Sequence, residues 1–324
     1  TKTPTVWWHD SANQAQAHAA FQNGAVGMTT NPFLINQTLR TNPDQWRAQM
    51  KAVDPSVVGD ERAIALMHEV LSFWTANEHA QYVCAQVNPK HPGDESRMLD
   101  EARRFGRWNS KVVVKVPATN AGIAVFEAGL AQGLNMAATV SFTVSQVLAV
   151  AEAAERGIAQ ALEKGYTKPL AVAVLMVGRL DDYLRDVAKD SNLNITEEAV
   201  RSAGTACIKR SYSIFQERGY DDVFLMPAGC RGGYHITAIS GAKMICSIAP
   251  KIQEELLSLE GPFTEEIHRD VDPAYINQLM QMDEFKKAYE PKGMNRKEFI
   301  TFGSANRTLD QFVNSGWNPL TEVK

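Results

Sequence analysis

Eight short apolar runs, separated by segments of helix length, organise this 324-residue chain and limit what it can fold into. They are TVWWHD (5–10), AVGMTT (25–30), YVCAQV (82–87), VVVKV (112–116), MAATVSF (136–142), LAVAVLM (170–176), DVFLMPA (222–228) and AKMICSI (242–248). Apolar runs of this kind belong to strands covered on both faces of a sheet. Between them, Thr119–Gly133 carries Ile123, Phe126 and Leu130 at i, i+3 and i+7, one face of a helix. Thr143–Gly165 and Ile195–Gly219 read the same way, each closed by a glycine suited to a C-cap. Alternating strands and helices predict a parallel sheet of the α/β class, and eight such units in about 250 residues predict a closed (β/α)8 TIM barrel. No GxGxxG follows the first run, which argues against a dinucleotide-binding sheet. After Pro250 the pattern is helical and polar, running to Phe302, Leu309, Phe312 and Trp317. We expect one barrel domain over 1–324, with 251–324 a helical extension packed on its outside or over its mouth.

Function classes narrow with composition. A net charge of −4 and a pI near 6.0 give no basic surface for nucleic acid or an acidic membrane. Cys84, Cys207, Cys230 and Cys246 form no CxxC, so reduced thiols are expected, with neither a disulfide framework nor a zinc knuckle. The histidines show no HxxxH spacing, and no metal is expected. TKTPTVWWHD lacks the apolar core of a signal peptide, and no run reaches membrane-spanning length, so a cytoplasmic protein is expected.

In a barrel, polar residues at the C-terminal strand ends face the site. Those positions hold Asp10, Thr30 and Asn31, Gln86 and Asn88, Lys115, Thr139 and Ser141, Arg179, and Arg231 with Gly232 and Gly233. Lys115 says most. An amine is expensive to hold as a cation among valines, and a neutral amine attacks a ketone or aldehyde to form a Schiff base. Each residue also has a plainer reading. Lys115 could point outward or pair with a carboxylate, and Asp10 could cap a helix beginning at Ser11. Asn31 before Pro32 could be only a turn, Thr139 strand filler, and Arg179 the partner of Asp181 or Asp182. Convergence of one amine, one carboxylate and several neutral polar groups on one rim favours carbonyl chemistry through an imine. His9 should point away from Asp10 and pack behind the sheet. The arginines ask for an anion: the glycines of PAGCRGG (227–233) let backbone N–H groups approach it, and Arg231 offers a fork. Phosphate, sulfonate and carboxylate fit equally well.

MTTNPFLI (28–35), KVVVKVPATNAGIAVFEA (111–128), the Thr139 strand and VGRLDDY (177–183), in this order between Asp10 and Pro250, resemble the transaldolase family of class I Schiff-base aldolases. The resemblance implies that Lys115 forms the Schiff base and that Asp10 is the acid/base at the breaking carbon–carbon bond. It implies that Thr139 positions a water, that Asn31 holds a donor hydroxyl, and that Arg179 and Arg231 bind the anionic tail of a sugar phosphate. Thr30, Ser141 and Gly229 join the substrate-binding set, and no cofactor is implied. A sugar or sugar phosphate is the implied partner, and a homo-oligomer, dimer or larger, the implied assembly. Four departures stand out. Gln86 replaces a glutamate that works with the water, as in the related fructose-6-phosphate aldolases. Ala137-Ala138-Thr139 lacks the asparagine of the family's N-x-T. Val174-Leu175-Met176 replaces S-P-F, removing a serine of the donor pocket and an aromatic beside the water. Gly229 replaces a serine near the phosphate arginine. These changes make the donor side more apolar and point to a donor with fewer hydroxyls than dihydroxyacetone. The alternative is an aldolase, lyase or dehydratase using the same iminium on a deoxy or non-phosphate anionic sugar. Tyr183 and Tyr234 are the candidates to replace the missing aromatic.

Overall fold

A computed structural model describes residues 3–261 and 263–323. All eight apolar runs are strands: β1 Val6–His9, β2 Gly27–Met28, β3 Tyr82–Gln86, β4 Val112–Pro117, β5 Asn135–Thr139, β6 Ala171–Leu175, β7 Val223–Pro227 and β8 Ile245–Ile248. Every ladder is parallel, and the order β7-β6-β5-β4-β3-β2-β1-β8 brings the last strand beside the first. β7 and β8 pack together without a ladder, so a (β/α)8 barrel closes with one seam free of strand hydrogen bonds.

The helices begin where short side-chain acceptors can replace missing backbone partners. Thr119 caps Asn120–Leu130, and Thr143 caps Val144–Glu163 in a reciprocal box with Gln146. Thr196 caps Glu197–Arg218, which ends on Gly219 in the left-handed region (φ +70°), a conformation costly for any residue with a Cβ. The first helix departs from expectation. It spans Gln14–Gln22 and is capped by Asn13, which leaves Asp10 free of a capping role.

Strand register decides what enters the barrel. Gln86 pairs with Lys115, Lys115 with Ala137, Ala137 with Val172, and Val174 with Met226, so these residues share one face. Trp8 pairs with Gly27 and Ser247 on the same face, one step before Asp10. A Cβ at Gly27 would lie 2.8 Å from the Trp8 indole, so only glycine admits that ring. His9 points the other way, as parity requires, and its Nδ1 meets Gln253 at 2.9 Å. Burial drives its pKa down to about 4, so the ring is neutral.

The helix Pro250–Leu257 follows β8 and packs beside Gln14–Gln22. It completes the eighth strand–helix unit, so the added segment starts after it rather than at 251. Helices Pro273–Leu279, Asp283–Tyr289 and Gly303–Gln311 follow, then a π-helical turn Phe312–Trp317. This turn packs on helix Pro32–Thr41, where a Cβ at Gly316 would strike the Phe33 backbone nitrogen at 2.6 Å. Trp317 is fully buried and donates its indole N–H to Asp60 Oδ1 at 2.9 Å. Pro273–Leu279 and Asp283–Tyr289 pack on the outer helix Glu197–Arg218, whereas the Phe312–Trp317 turn lies at the barrel mouth, next to the end of β2. Among the described residues no helix is long and apolar enough to cross a membrane.

Candidate active site

A cavity of about 190 Å3 opens at the C-terminal end of the barrel. Lys115, Asp10, Thr29, Thr139, Val174, Met226 and Ser247 supply its strand wall, Asn31 and Phe33 one rim, and Arg179, Gly229, Arg231 and Phe312 the other. A larger cleft of about 860 Å3 lies among residues 43–62 and 321–323, on the outside. It contains none of the strand-end residues.

Lys115 is 7% exposed and turned into the barrel, and its Nζ donates to the Thr30 carbonyl at 3.2 Å. No carboxylate forms an ion pair with it among the described residues. Asp10 faces the same cavity. Thr29 Oγ1 donates to Asp10 Oδ1 at 2.7 Å and lies 2.6 Å from Ser247 Oγ. Burial pushes the Asp10 carboxyl above its ordinary 3.8, against the opposing pull of Thr29, Lys115 and Arg179. Just beyond Thr139, Val140 has φ +55°, a strained conformation for a β-branched residue. Gln146 fixes that bend, bonding the Val140 and Ala118 carbonyls through Nε2 and the Phe142 N–H through Oε1.

The predicted residues fall into two groups. Lys115, Asp10, Thr139, Asn31, Arg179, Arg231 and Gly229 line one cavity. Asn31 has two tasks: its Oδ1 accepts the Leu34 N–H as a helix cap, while no described residue receives a bond from its Nδ2. Gln86 and Ser141 are outside that lining, and Gln86 Oε1 and Ser141 Oγ are buried without a hydrogen-bond partner among the described residues. Thr30 has the wrong parity. Its hydroxyl is spent on the Cys84 carbonyl at 2.7 Å, and only its backbone oxygen reaches Lys115. Asn88 sits away from the cavity, bonded to Asp60 and Glu101.

Arg179 does not pair with Asp181 or Asp182. Its Nη1 meets Gln311 Oε1 at 2.6 Å, and its guanidinium lies 5.6 Å from the Phe312 ring centroid. Burial, and then the nearby charge of Arg231, lowers its pKa from the usual guanidinium range. Arg231 holds Asp182 Oδ2 through Nε at 2.7 Å and the Gly229 carbonyl through Nη1 at 2.9 Å. Gly229 has φ +60°, so a serine there would be strained, and the loop conformation itself calls for glycine.

The sequence pattern does not mark Thr29, Ser247, Phe33 and Phe312 as cavity or rim residues, nor Gln311 as the partner of Arg179. Thr29 and Ser247 share the parity of Trp8 and Asp10, a signal readable once strand register is known. Phe312 places an aromatic at the cavity, whereas Tyr183 packs on Phe302 and Tyr234 lies under Arg201.

A family model described as transaldolase/fructose-6-phosphate aldolase matches residues 7–311. A transaldolase of Thiobacillus denitrificans is 29% identical over 253 residues, covering 71% of this chain and 68% of that protein. A transaldolase of Thermobifida fusca is 26% identical over 265 residues, covering 74% and 70%. One from Shewanella frigidimarina is 24% identical over 250 residues, covering 72% and 70%. The match from β1 through the helix that reaches the cavity rim leaves no large part of the barrel outside it, and the chain belongs to the transaldolase/fructose-6-phosphate aldolase family.

Proposed function

We propose that this chain cleaves or transfers a ketol unit of an anionic sugar through an imine on Lys115. The observation that carries the reading is that the Lys115 amine and the Asp10 carboxyl open onto one cavity with two arginines on its rim. The Lys115 amine attacks the donor ketone, and loss of water gives an iminium. Asp10 takes the proton of the hydroxyl beyond the breaking bond, the carbon–carbon pair flows into the iminium as an enamine, and an aldehyde leaves. Addition of a second aldehyde to the enamine, return of the Asp10 proton to the new alkoxide and hydrolysis of the resulting iminium complete transfer. Protonation of the enamine and hydrolysis of the imine complete cleavage.

Asp10 is suited to this step because burial makes its carboxylate a stronger base, while Thr29 holds it in place. A water or donor hydroxyl bound near Gln86, Thr139 and Ser141 would satisfy the two orphaned polar atoms. Gln86 can orient such a water but cannot deprotonate it. Asn31 Nδ2 is the donor to a substrate hydroxyl, and Arg179 with Arg231 takes the anionic end. Val174, Met176 and Met226 line the cavity where a polyhydroxylated donor would want partners. Their presence supports a donor with few hydroxyls.

Product analysis tests the reading. The protein is incubated with hydroxyacetone, dihydroxyacetone or acetaldehyde and glyceraldehyde 3-phosphate, and in the reverse sense with fructose 6-phosphate. Carbon–carbon bond formation that favours hydroxyacetone over dihydroxyacetone is expected. A preference for dihydroxyacetone would overturn the apolar-donor part, and dehydration without any aldehyde product would replace aldol chemistry with elimination.

A further inference from the structure

The loop carrying Arg231 is tied to the helix carrying Arg179 by a buried pair outside the cavity. Arg231 donates its backbone N–H to His235 Nδ1 at 3.2 Å. The ring accepts at Nδ1 and therefore donates from Nε2, which lies 2.8 Å from Asp181 Oδ2. Asp181 Oδ1 in turn receives the Gly204 N–H at 2.8 Å. The side chains of His235 and Asp181 are 1% and 0% exposed. Asp181 belongs to helix Val177–Asp190, which begins two residues before Arg179, and the next residue, Asp182, holds the Arg231 guanidinium.

Stability gives a poor reason for such a pair. Taking an imidazole and a carboxylate out of water is costly, and an apolar pair of similar volume is often as stable or more so. Burial pushes the Asp181 carboxyl up, a sign of that cost. Geometry offers a better reason. Arg231 sits just beyond Gly229 at φ +60°, in a loop with glycines on both sides, so little in its own backbone fixes where its side chain starts. The His235 bond fixes that backbone, and Asp181 fixes His235 by reference to the Arg179 helix. The approach is tight: a Cβ at Gly178 would lie 2.5 Å from the Gly229 carbonyl oxygen and 2.7 Å from Arg231 Cγ.

We propose that His235, oriented by Asp181, is a positioning residue that sets the spacing of the Arg179 and Arg231 guanidiniums and so the affinity of the anion seat. This rests on the reading of those arginines as an anion seat. It extends that reading to two residues that touch no substrate. The bond also turns the Arg231 N–H away from any ligand, so guanidinium groups carry recognition at this position in place of that amide. Preorganised supports of this kind act on affinity because a loose fork must be ordered at binding.

Titration calorimetry of the full chain with inorganic phosphate tests the proposal, with Arg179→Ala locating the signal at the seat. Three variants separate the roles. His235→Asn places an amide oxygen near the Nδ1 position and keeps an acceptor for the Arg231 N–H. His235→Gln reaches toward Asp181 but lacks that acceptor. The double variant Asp181→Leu, His235→Leu removes the whole tie without leaving a lone buried charge. Phosphate affinity should fall roughly 10-fold, about 1.4 kcal/mol, in His235→Gln and in the double variant, and stay within about 2-fold in His235→Asn. Turnover with a neutral donor and acceptor should keep its kcat in all three. Wild-type affinity in the double variant, or equal loss in His235→Asn and His235→Gln, overturns the positioning role. Wild-type protein that shows no phosphate binding sensitive to Arg179→Ala overturns the anion seat itself.

Discussion

The two walls of the cavity are built differently. The wall from β1, β2, β4 and β5 carries Asp10, Thr29, Lys115 and Thr139, each on or directly after a strand and held by neighbours in the same barrel layer. The wall beyond β6 is apolar on its strands, and its charged groups are held by residues from elsewhere: Arg179 by Gln311 and Arg231 by Asp182. A ladder fixes a side chain to within a few tenths of an ångström, which suits groups that must meet reacting atoms. Loops and added helices can be exchanged without disturbing the ladder, which suits recognition of whatever lies beyond the reacting carbon.

The comparison breaks first at Asp10. Asp10→Asn should lower kcat by about 10²- to 10⁴-fold, the usual worth of a positioned acid/base, with little change in imine formation. It should also raise the melting temperature at pH 7. The folded carboxyl has a raised pKa, so ionising it penalises the folded state, and that penalty is fully present above the folded value. The gain should therefore shrink as pH falls through the folded pKa and vanish below the ordinary 3.8. No change in melting temperature at pH 7 would contradict the buried charge.

Arg179→Ala on the other wall should leave kcat for a neutral substrate intact. It should raise KM for a phosphorylated one by about 10- to 100-fold, the worth of a charge-assisted contact. A kcat effect of equal size would place Arg179 with the chemistry instead. Phe312→Ala empties a buried aromatic site in the segment over the mouth, a class of change that costs about 3–5 kcal/mol in a core. Here it should loosen the turn from Phe312 to Trp317 and raise substrate KM, read by amide exchange and kinetics. The smallest effect belongs to Thr29→Val. Losing that bond removes support for the ionised Asp10, so the acid limb of the rate profile should move to higher pH. A shift to lower pH would mean that Thr29 does not act on Asp10.

The strand wall was largely legible from the chain alone because its information is local. A lysine inside VVVKV and a proline ending the run announce themselves, and a period of two puts Lys115 and Val113 on one face. Error entered where register was needed. Of two adjacent threonines, the strand-end pattern points to Thr30 whereas Thr29 faces the cavity, a difference of one residue that flips the side chain. Ser247 escaped for the same reason. The other wall was legible only in its arginines, because their side-chain partners are distant in sequence: Gln311 lies 132 residues from Arg179, and Asp182 lies 49 from Arg231. Nothing in the local pattern of VGRLDDY or RGGYH tells that these segments meet.

Borohydride reduction in the presence of hydroxyacetone, dihydroxyacetone or fructose 6-phosphate, read by peptide mass spectrometry, tests the central claim most directly. An irreversible adduct on Lys115, absent in Lys115→Met and still formed in Asp10→Asn, is the predicted result. An adduct on another lysine, or none from any carbonyl donor while phosphate still binds, would contradict the imine on which this account of the cavity rests.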